Sequence, residues 1–402
     1  MSYFKNIEFD MNKKILFISH EASRTGATIV LLHLLKWIKS NTDINFEIVL
    51  KKSGVLLPEF QELAPVTVFA SKSSIFMESI QKFLSQYGIH IPLVGLRRNL
   101  KIKRIFGNNI DLIYSNTITN LNILEMIDHL DCPIICHVHE LEWGINFYGL
   151  KRFNRLIQLT NRFIAVSKSV KENLIKNHGI SEKSIDLHYE FIPTMKFELV
   201  KNREQIRKDV CIELGFPEDA NIICSSGTTG WRKGPDLFIE MALIVRKLKP
   251  EMPSYFMWVG GENNGQRYND LTYDIKKAGL EDYIKFIGEK SNPIKYYSAC
   301  DLFVLTSRED PFPLVCLESA TLGKPIICFD KAGGMKEFVE KDAGFVVPYL
   351  DTHAMAKKVI DIFQRPQLKE QMGMKAREKV RNRHDIEIEA PRILNTISKT
   401  MA

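Results

Sequence analysis

Residues 13–50, KKILFISHEASRTGATIVLLHLLKWIKSNTDINFEIVL, decide the fold class. Lys13 to Ser19 is a short apolar run of strand type. HEASRTGA is a polar loop with one glycine, and Thr28 to Lys39 carries apolar residues at helical spacing. INFEIVL then reads as a second strand. A strand, a helix and a strand in so short a span imply a parallel pair joined by a crossover helix. The alternation continues through IDLIYSN (110–116), PIICHVHE (133–140) and RFIAVSKS (162–169). Residues 189–220 have weak strand character followed by a charged helix, and we place the link between domains there. A second series follows: NIICSSG (221–227), SYFMWVGG (254–261), YIKFIG (283–288), DLFVLTS (301–307), KPIICF (324–329) and AGFVVP (343–348). From Asp351 onward the chain reads as charged helix. The fold expected is α/β: two Rossmann-like parallel-sheet domains facing a central cleft, the first over residues 1–195 and the second beginning at 196. In open sheets of this kind ligands bind beyond the carboxyl ends of the strands, so residues that follow strands are the ones to examine.

Composition narrows the function classes. A chain of 402 residues suits two or three domains. An apolar fraction of 45% and a charged fraction of 26% are those of an ordinary globular protein, so fibrous or largely disordered architectures are unexpected. No apolar run reaches the length of a membrane span, and the N-terminus has no apolar core like that of a signal peptide, which favours the cytoplasm. The seven cysteines show no C-x-x-C spacing and several sit inside apolar runs, as buried reduced thiols do. A formal charge of +7 favours anionic partners without pointing to nucleic acid, and no nucleic-acid partner is expected.

Five stretches carry chemistry. In SREDPFPLVCLESATLGKP (307–325), Asp310-Pro311 reads as a helix N-cap and first-turn pair, or as a ligand group. Glu318 lies inside the apolar run PLVCLESA, where a carboxylate is costly unless something pairs with it. On one helix the two acids would stand roughly 12 Å apart. That is too far to share a metal or a proton, but suited to hydroxyls at two ends of a long ligand. In SSGTTGWRKGPDLFIEMA (225–242), Gly227 and Gly230 permit tight backbone, and Arg232 and Lys233 precede a helix expected to start at Pro235. Cations beside a helix N-terminus suit a phosphate. No Ser or Thr follows Lys233, which disfavours a P-loop ATPase. In the first loop, Gly26-Ala27 opens a helix with small residues and allows close backbone approach. In CHVHELEW (136–143), His137 and His139 are expected on opposite sides of a strand, one in the core and one in the cleft, with Glu140 and Glu142 as weaker candidates. VGLRRNLKIKRIF (94–106) has five basic and no acidic residues among its apolar ones. It reads as a solvated helix face or as one that lies on an anionic membrane surface.

These residues resemble a family: the retaining GT-B glycosyltransferases of the sucrose-synthase-like and mannosyltransferase-like group found in bacterial surface-polysaccharide pathways. The resemblance covers nearly the whole chain and is most specific in the second half. The family's pair of acids with seven residues between them falls on Asp310 and Glu318. The resemblance implies that Asp310 and the following Phe312, Pro313, Leu314 and Val315 contact the donor sugar, and that Glu318 binds ribose hydroxyls. The family's usual first acid is Glu, which leaves Glu309 or Asp310 as the sugar contact. Lys233 matches the family lysine on the donor diphosphate. The arginine usual after Gly227 is replaced by Thr228, and Arg232 is the substitute cation. Gly26 and Ala27 match the first-domain loop that approaches the phosphates, His139 the histidine beside the reacting sugar, and Gly288 and Glu289 the loop that packs on the base. The family's last helix, here within 381–402, crosses back to the first domain and would end the second at residue 380.

The expected activity is transfer of a hexose from a UDP- or GDP-linked donor to a glycan or polyprenyl-phosphate-linked acceptor. Cations and N–H groups would stabilise the departing diphosphate, with neither metal nor cofactor required. The expected site of action is the cytoplasm or the inner face of the cell membrane. A nucleotide-sugar epimerase of the same architecture and a non-catalytic two-domain binding protein are the alternatives. A NAD-dependent dehydrogenase is more remote, because G-x-G-x-x-G is missing.

Overall fold

The strand runs form two parallel sheets. The computed structural model describes residues 13–70 and 110–401. Its contacts divide the chain into two compact units. One gathers the residues up to Val166, Val170–His188 and the chain from Glu389 onward; the other holds Ser167–Ser169 and Tyr189–Ile388.

The first unit contains β1 (Lys14–Ser19), β2 (Asn45–Lys52), β3 (Val66–Ala70), β4 (Leu112–Asn116), β5 (Ile134–Val138), β6 (Arg162–Ala165) and β7 (Ile185–Leu187). Their spatial order is β3-β2-β1-β4-β5-β6-β7, with every pairing parallel. Ile15, Leu16, Phe17 and Ile18 are all fully buried, so both faces of β1 are covered, as a central parallel strand requires. The helix Gly26–Asn41 buries Val30, Leu31, Leu34, Leu35 and Ile38, the helical stripe visible in the sequence. Strands β3 and β7 escape the sequence reading. Both lie at sheet edges, and Thr67 and Asp186 interrupt these short segments, so neither shows a continuous apolar run.

The second unit contains β8 (Asn221–Ser226), β9 (Ser254–Val259), β10 (Ile284–Phe286), β11 (Leu302–Leu305), β12 (Ile326–Phe329) and β13 (Gly344–Val347), in the order β10-β9-β8-β11-β12-β13. Phe238, Phe256 and Trp258 anchor its core, with Phe238 5.6 Å from Trp258 ring to ring. In each sheet the order reverses beside the first strand, between β1 and β4 and between β8 and β11. A crevice opens at such a switch point, past the carboxyl ends of the two strands.

The last helix, Ile386–Met401, returns to the first unit. There His188 Nε2 lies 2.9 Å from Thr396 Oγ1, and Lys13 Nζ donates to the Met401 carbonyl at 3.1 Å. All seven cysteines are free thiols, six of them buried. Among the described residues no helix is long and apolar enough to cross a membrane. The basic stretch 94–106 lies outside the described residues.

Candidate active site

In the second unit, the loops after β8 and β11 meet at the switch point. Gly227 follows β8 with φ +148°, and a Cβ added there would lie 3.2 Å from the Lys233 side chain, which crosses over it. The Gly227 carbonyl accepts from Trp258 Nε1 at 3.0 Å. A short turn, Trp231–Lys233, leads to Gly234 with φ +67°. A Cβ at Gly234 would come 2.1 Å from the Thr306 carbonyl oxygen, so only glycine lets this loop close against the end of β11. The helix then starts at Pro235, as expected.

This closure brings the charged groups together. Lys233 Nζ donates to Asp310 Oδ2 at 2.5 Å, Ser307 Oγ donates to the same oxygen at 3.2 Å, and Arg232 Nη1 lies 3.8 Å from Oδ1. Arg232 also donates to the Glu309 carbonyl at 2.7 Å. Asp310 is only 5% exposed. Burial alone would push its carboxyl up, but the charges of Lys233 and Arg232 and the hydrogen bonds from Lys233 and Ser307 outweigh it and hold the group below its ordinary range.

Asp310 is not a helix cap. The helix runs Leu314–Thr321 with Pro313 at its N-cap, because residues before proline are disfavoured in helical conformation and Pro311 and Pro313 bracket Phe312. Asp310 instead forms a parallel bridge with Gly333, its N–H donating to the Ala332 carbonyl at 2.7 Å. The roughly 12 Å helix spacing to Glu318 therefore does not apply, since the acids do not share a helix. Next along, Gly334 N–H donates to the Pro311 carbonyl at 3.0 Å, and a Cβ at Gly334 would lie 2.5 Å from that oxygen. Ser307, Gly333 and Gly334 hold Asp310 and its loop in place, contacts that the sequence reading missed. Two glycines between a strand and a helix were the available signal. Phe312, Pro313 and Leu314 are buried and Val315 half-buried; Phe312 stacks on His384 at 5.1 Å, which braces the loop from behind.

Glu318 is half-buried on this helix and makes no hydrogen bond among the described residues. The protein packed around it pushes its carboxyl up to about 7, with Lys196 pulling weakly the other way. Gly288, φ +71°, follows β10, and its carbonyl accepts from Gly260 N–H at 2.8 Å. A Cβ at Gly260 would lie 2.8 Å from the Gly227 carbonyl oxygen, so the loop after β9 presses on the loop after β8. Glu289, Thr228 and Gly230 are exposed.

The first unit holds the remaining candidates. Asn116, at the end of β4, has its Oδ1, an acceptor, 2.9 Å from His139 Nε2, and its Nδ2 donates to the Ala27 carbonyl at 2.9 Å. One side chain thus ties His139 to the Gly26-Ala27 turn. Among the described residues no neighbouring atom lies within 4 Å of a Cβ added at Gly26, so they leave the space beside that turn open. His137 and His139 do not face opposite ways: side chains alternate along a strand, so residues two apart share a side, and the rings lie 4.1 Å apart. His137 is the buried member, 2.8 Å from the Tyr114 hydroxyl, and burial holds it well below the ordinary histidine range. Glu140 accepts from the His139 N–H at 3.0 Å, and Glu142 pairs with His178 at 2.9 Å. Among the described residues no group of three or more His, Cys, Asp or Glu is placed to hold a metal ion.

Two family models match the chain. The model for glycosyl transferases group 1 matches residues 207–379, which include the Lys233–Asp310 cluster, and the model for glycosyltransferase family 4 matches residues 66–195. The chain belongs to this class of glycosyltransferases. Its second half thus matches a group 1 glycosyltransferase unit.

The glycosyltransferase is 29% identical over 170 residues to the lipopolysaccharide core biosynthesis mannosyltransferase LpsB of Rhizobium meliloti, covering 41% of this chain and 46% of that one. It is 30% identical over 173 residues to mannosylfructose-phosphate synthase of Agrobacterium fabrum, covering 41% and 36%. The chain therefore matches less than half the length of either relative. Among solved structures, Anabaena HepE in complex with UDP and glucose superposes with a TM-score of 0.80 at 21% identity, covering 96% of this chain and 99% of that one. Sucrose-phosphate synthase of Thermosynechococcus elongatus gives 0.73 at 17%, covering 96% and 98%. These likenesses are to the fold, GT-B.

Proposed function

We propose that this glycosyltransferase moves a hexose from a nucleoside-diphosphate donor to a glycan or lipid-linked acceptor in surface-polysaccharide synthesis, with retention at the anomeric carbon. The observation that carries the reading is the Lys233–Asp310–Arg232 cluster at the β8/β11 switch point. Breaking the glycosidic bond leaves a diphosphate anion, and two cations already fixed in place stabilise that charge without reorganising. Asp310 keeps Lys233 ordered until the diphosphate arrives. Glu318, which has no hydrogen-bond partner among the described residues, accepts from the ribose hydroxyls. The Leu314 and Val315 N–H groups at the start of Leu314–Thr321 have no partner within the helix, and they donate to the sugar or phosphate oxygens. Gly26 and Ala27 admit the phosphates, and Gly288 and Glu289 meet the base. His139 supports the sugar and is no nucleophile.

Retention follows from front-face attack: the acceptor hydroxyl approaches on the leaving-group side, and its proton passes to the departing phosphate. The UDP and glucose bound in HepE, and the lipopolysaccharide role named for LpsB, support the donor and pathway classes. A thermal-shift screen of UDP-, GDP- and ADP-sugars tests the donor, because a ligand that binds only the folded state raises its melting temperature. Nuclear magnetic resonance of the product tests retention, and an inverted anomer would contradict it.

A further inference from the structure

The segment Trp143–Arg155 carries three cations and no acid, and donor binding makes no use of it. It folds as two short helices, Glu142–Tyr148 and Leu150–Leu159, joined at Gly149, whose φ of +108° turns the chain. Its inner side is ordinary core: Ile145, Phe153 and Leu156 are fully buried. Its outer side is not. Phe147 is 81% exposed, Leu150 47% and Trp143 42%. Trp143 and Phe147, four residues apart and so on one helix face, stack with centroids 5.3 Å apart and planes 12° apart. Isolated exposed apolar residues need no explanation, but a cluster of large ones marks a contact surface. Cations border it. The Arg152 guanidinium lies 5.8 Å from the Tyr148 ring, Lys151 is adjacent in sequence, and both are exposed. Among the described residues neither Lys151 nor Arg152 has an ion-pair partner, whereas Arg155 lies 3.6 Å from Glu125.

We propose that this face docks the enzyme on an anionic lipid bilayer. Trp143, Phe147 and Leu150 enter the boundary between headgroups and acyl chains, and Lys151 and Arg152 meet the lipid phosphates. Aromatic residues beside lysine and arginine are what a bilayer surface selects, and Glu142, the acid that opens the first of the two helices, is held by His178 at 2.9 Å. A second copy of the chain is a poorer occupant, because a two-fold contact would set these cations against each other. A single-stranded nucleic acid would need free ring faces for its bases, and Trp143 and Phe147 spend one face each on their mutual stack. The proposal stands on this patch alone and not on the donor site.

The test is sedimentation of the full-length protein with vesicles of phosphatidylcholine, or of equal parts phosphatidylcholine and phosphatidylglycerol. The wild type pellets with the anionic vesicles, and less so as salt rises. Phe147→Ser with Leu150→Ser cuts partitioning at least about tenfold. Reversing Lys151 and Arg152 to Glu costs roughly fivefold or more per site. These side chains are exposed, so unchanged melting curves and donor-induced thermal shifts show that the variants stay folded. Variants that pellet like the wild type, a wild type that ignores anionic vesicles, or a concentration-dependent dimer abolished by Phe147→Ser would each overturn the proposal.

Discussion

Lys233 Nζ and Asp310 Oδ2 lie 2.5 Å apart across 77 residues of sequence, joining the loop after β8 to the loop after β11. Asp310 is buried and Lys233 half-buried, with 7% and 16% of the two side chains exposed. A buried ion pair is modest evidence for stability, but removing one member leaves an uncompensated charge.

Lys233→Ala should therefore destabilise the enzyme by about 3–5 kcal/mol and lower turnover about a hundredfold. Asp310→Asn should cost less in stability, since an amide still hydrogen-bonds Ser307 and the lysine. The carboxyl of Asp310 is held below its ordinary 3.8, so its stabilising contribution is full above that pH and is lost as pH falls through the folded value. Chemical denaturation of wild type and Asp310→Asn across the acid range should show the difference shrinking toward low pH.

Glu318 titrates in the opposite sense. Its carboxyl is raised from 4.5 to about 7, so between those values the folded chain binds a proton that the unfolded chain has released. Its contribution to stability consequently falls as pH rises through that window. Glu318→Gln should gain in melting temperature relative to wild type between pH 5 and 8. Nucleotide affinity should respond in reverse: UDP or GDP should bind wild type more tightly above pH 7 than below it, and Glu318→Gln should weaken binding and flatten the dependence. Calorimetric titration at several pH values checks both signs.

Glycines separate structural from functional roles. Gly334→Ala places a Cβ 2.5 Å from the Pro311 carbonyl oxygen and 2.6 Å from Phe312 Cδ2, which should cost about 1–3 kcal/mol. Gly26→Ala meets nothing within 4 Å among the described residues and sits at the start of a helix, so its melting temperature should hold or rise. If phosphates approach this turn, turnover should nevertheless fall. Paired melting curves and donor kinetics decide the matter.

What the sequence shows plainly is what depends on continuous apolar runs. The strands buried on both faces, β1, β4, β5, β8, β11 and β12 among them, read directly from such runs. The edge strands β3 and β7 do not, because Thr67 and Asp186 interrupt these short segments, whereas the equally half-exposed edge strands β10 and β13 keep runs long enough to read. Glu318 is legible because a carboxylate inside PLVCLESA demands a reason. Asp310 was legible as a candidate, but its partner was not: a local reading offers a helix cap or a ligand group, whereas Lys233, which it pairs with, lies 77 residues away. The shared side of His137 and His139 follows from strand alternation and was misjudged. Gly333 and Gly334 matter only through the bridge to Asp310 and the approach to Pro311, contacts that no spacing rule predicts.

A crystal structure of the enzyme with UDP or GDP bound would test the central claim most directly. The account predicts diphosphate oxygens within hydrogen-bond distance of Lys233 Nζ and ribose hydroxyls on the Glu318 carboxylate. A nucleotide seated elsewhere, with Lys233 still closed on Asp310 and Glu318 untouched, would contradict it.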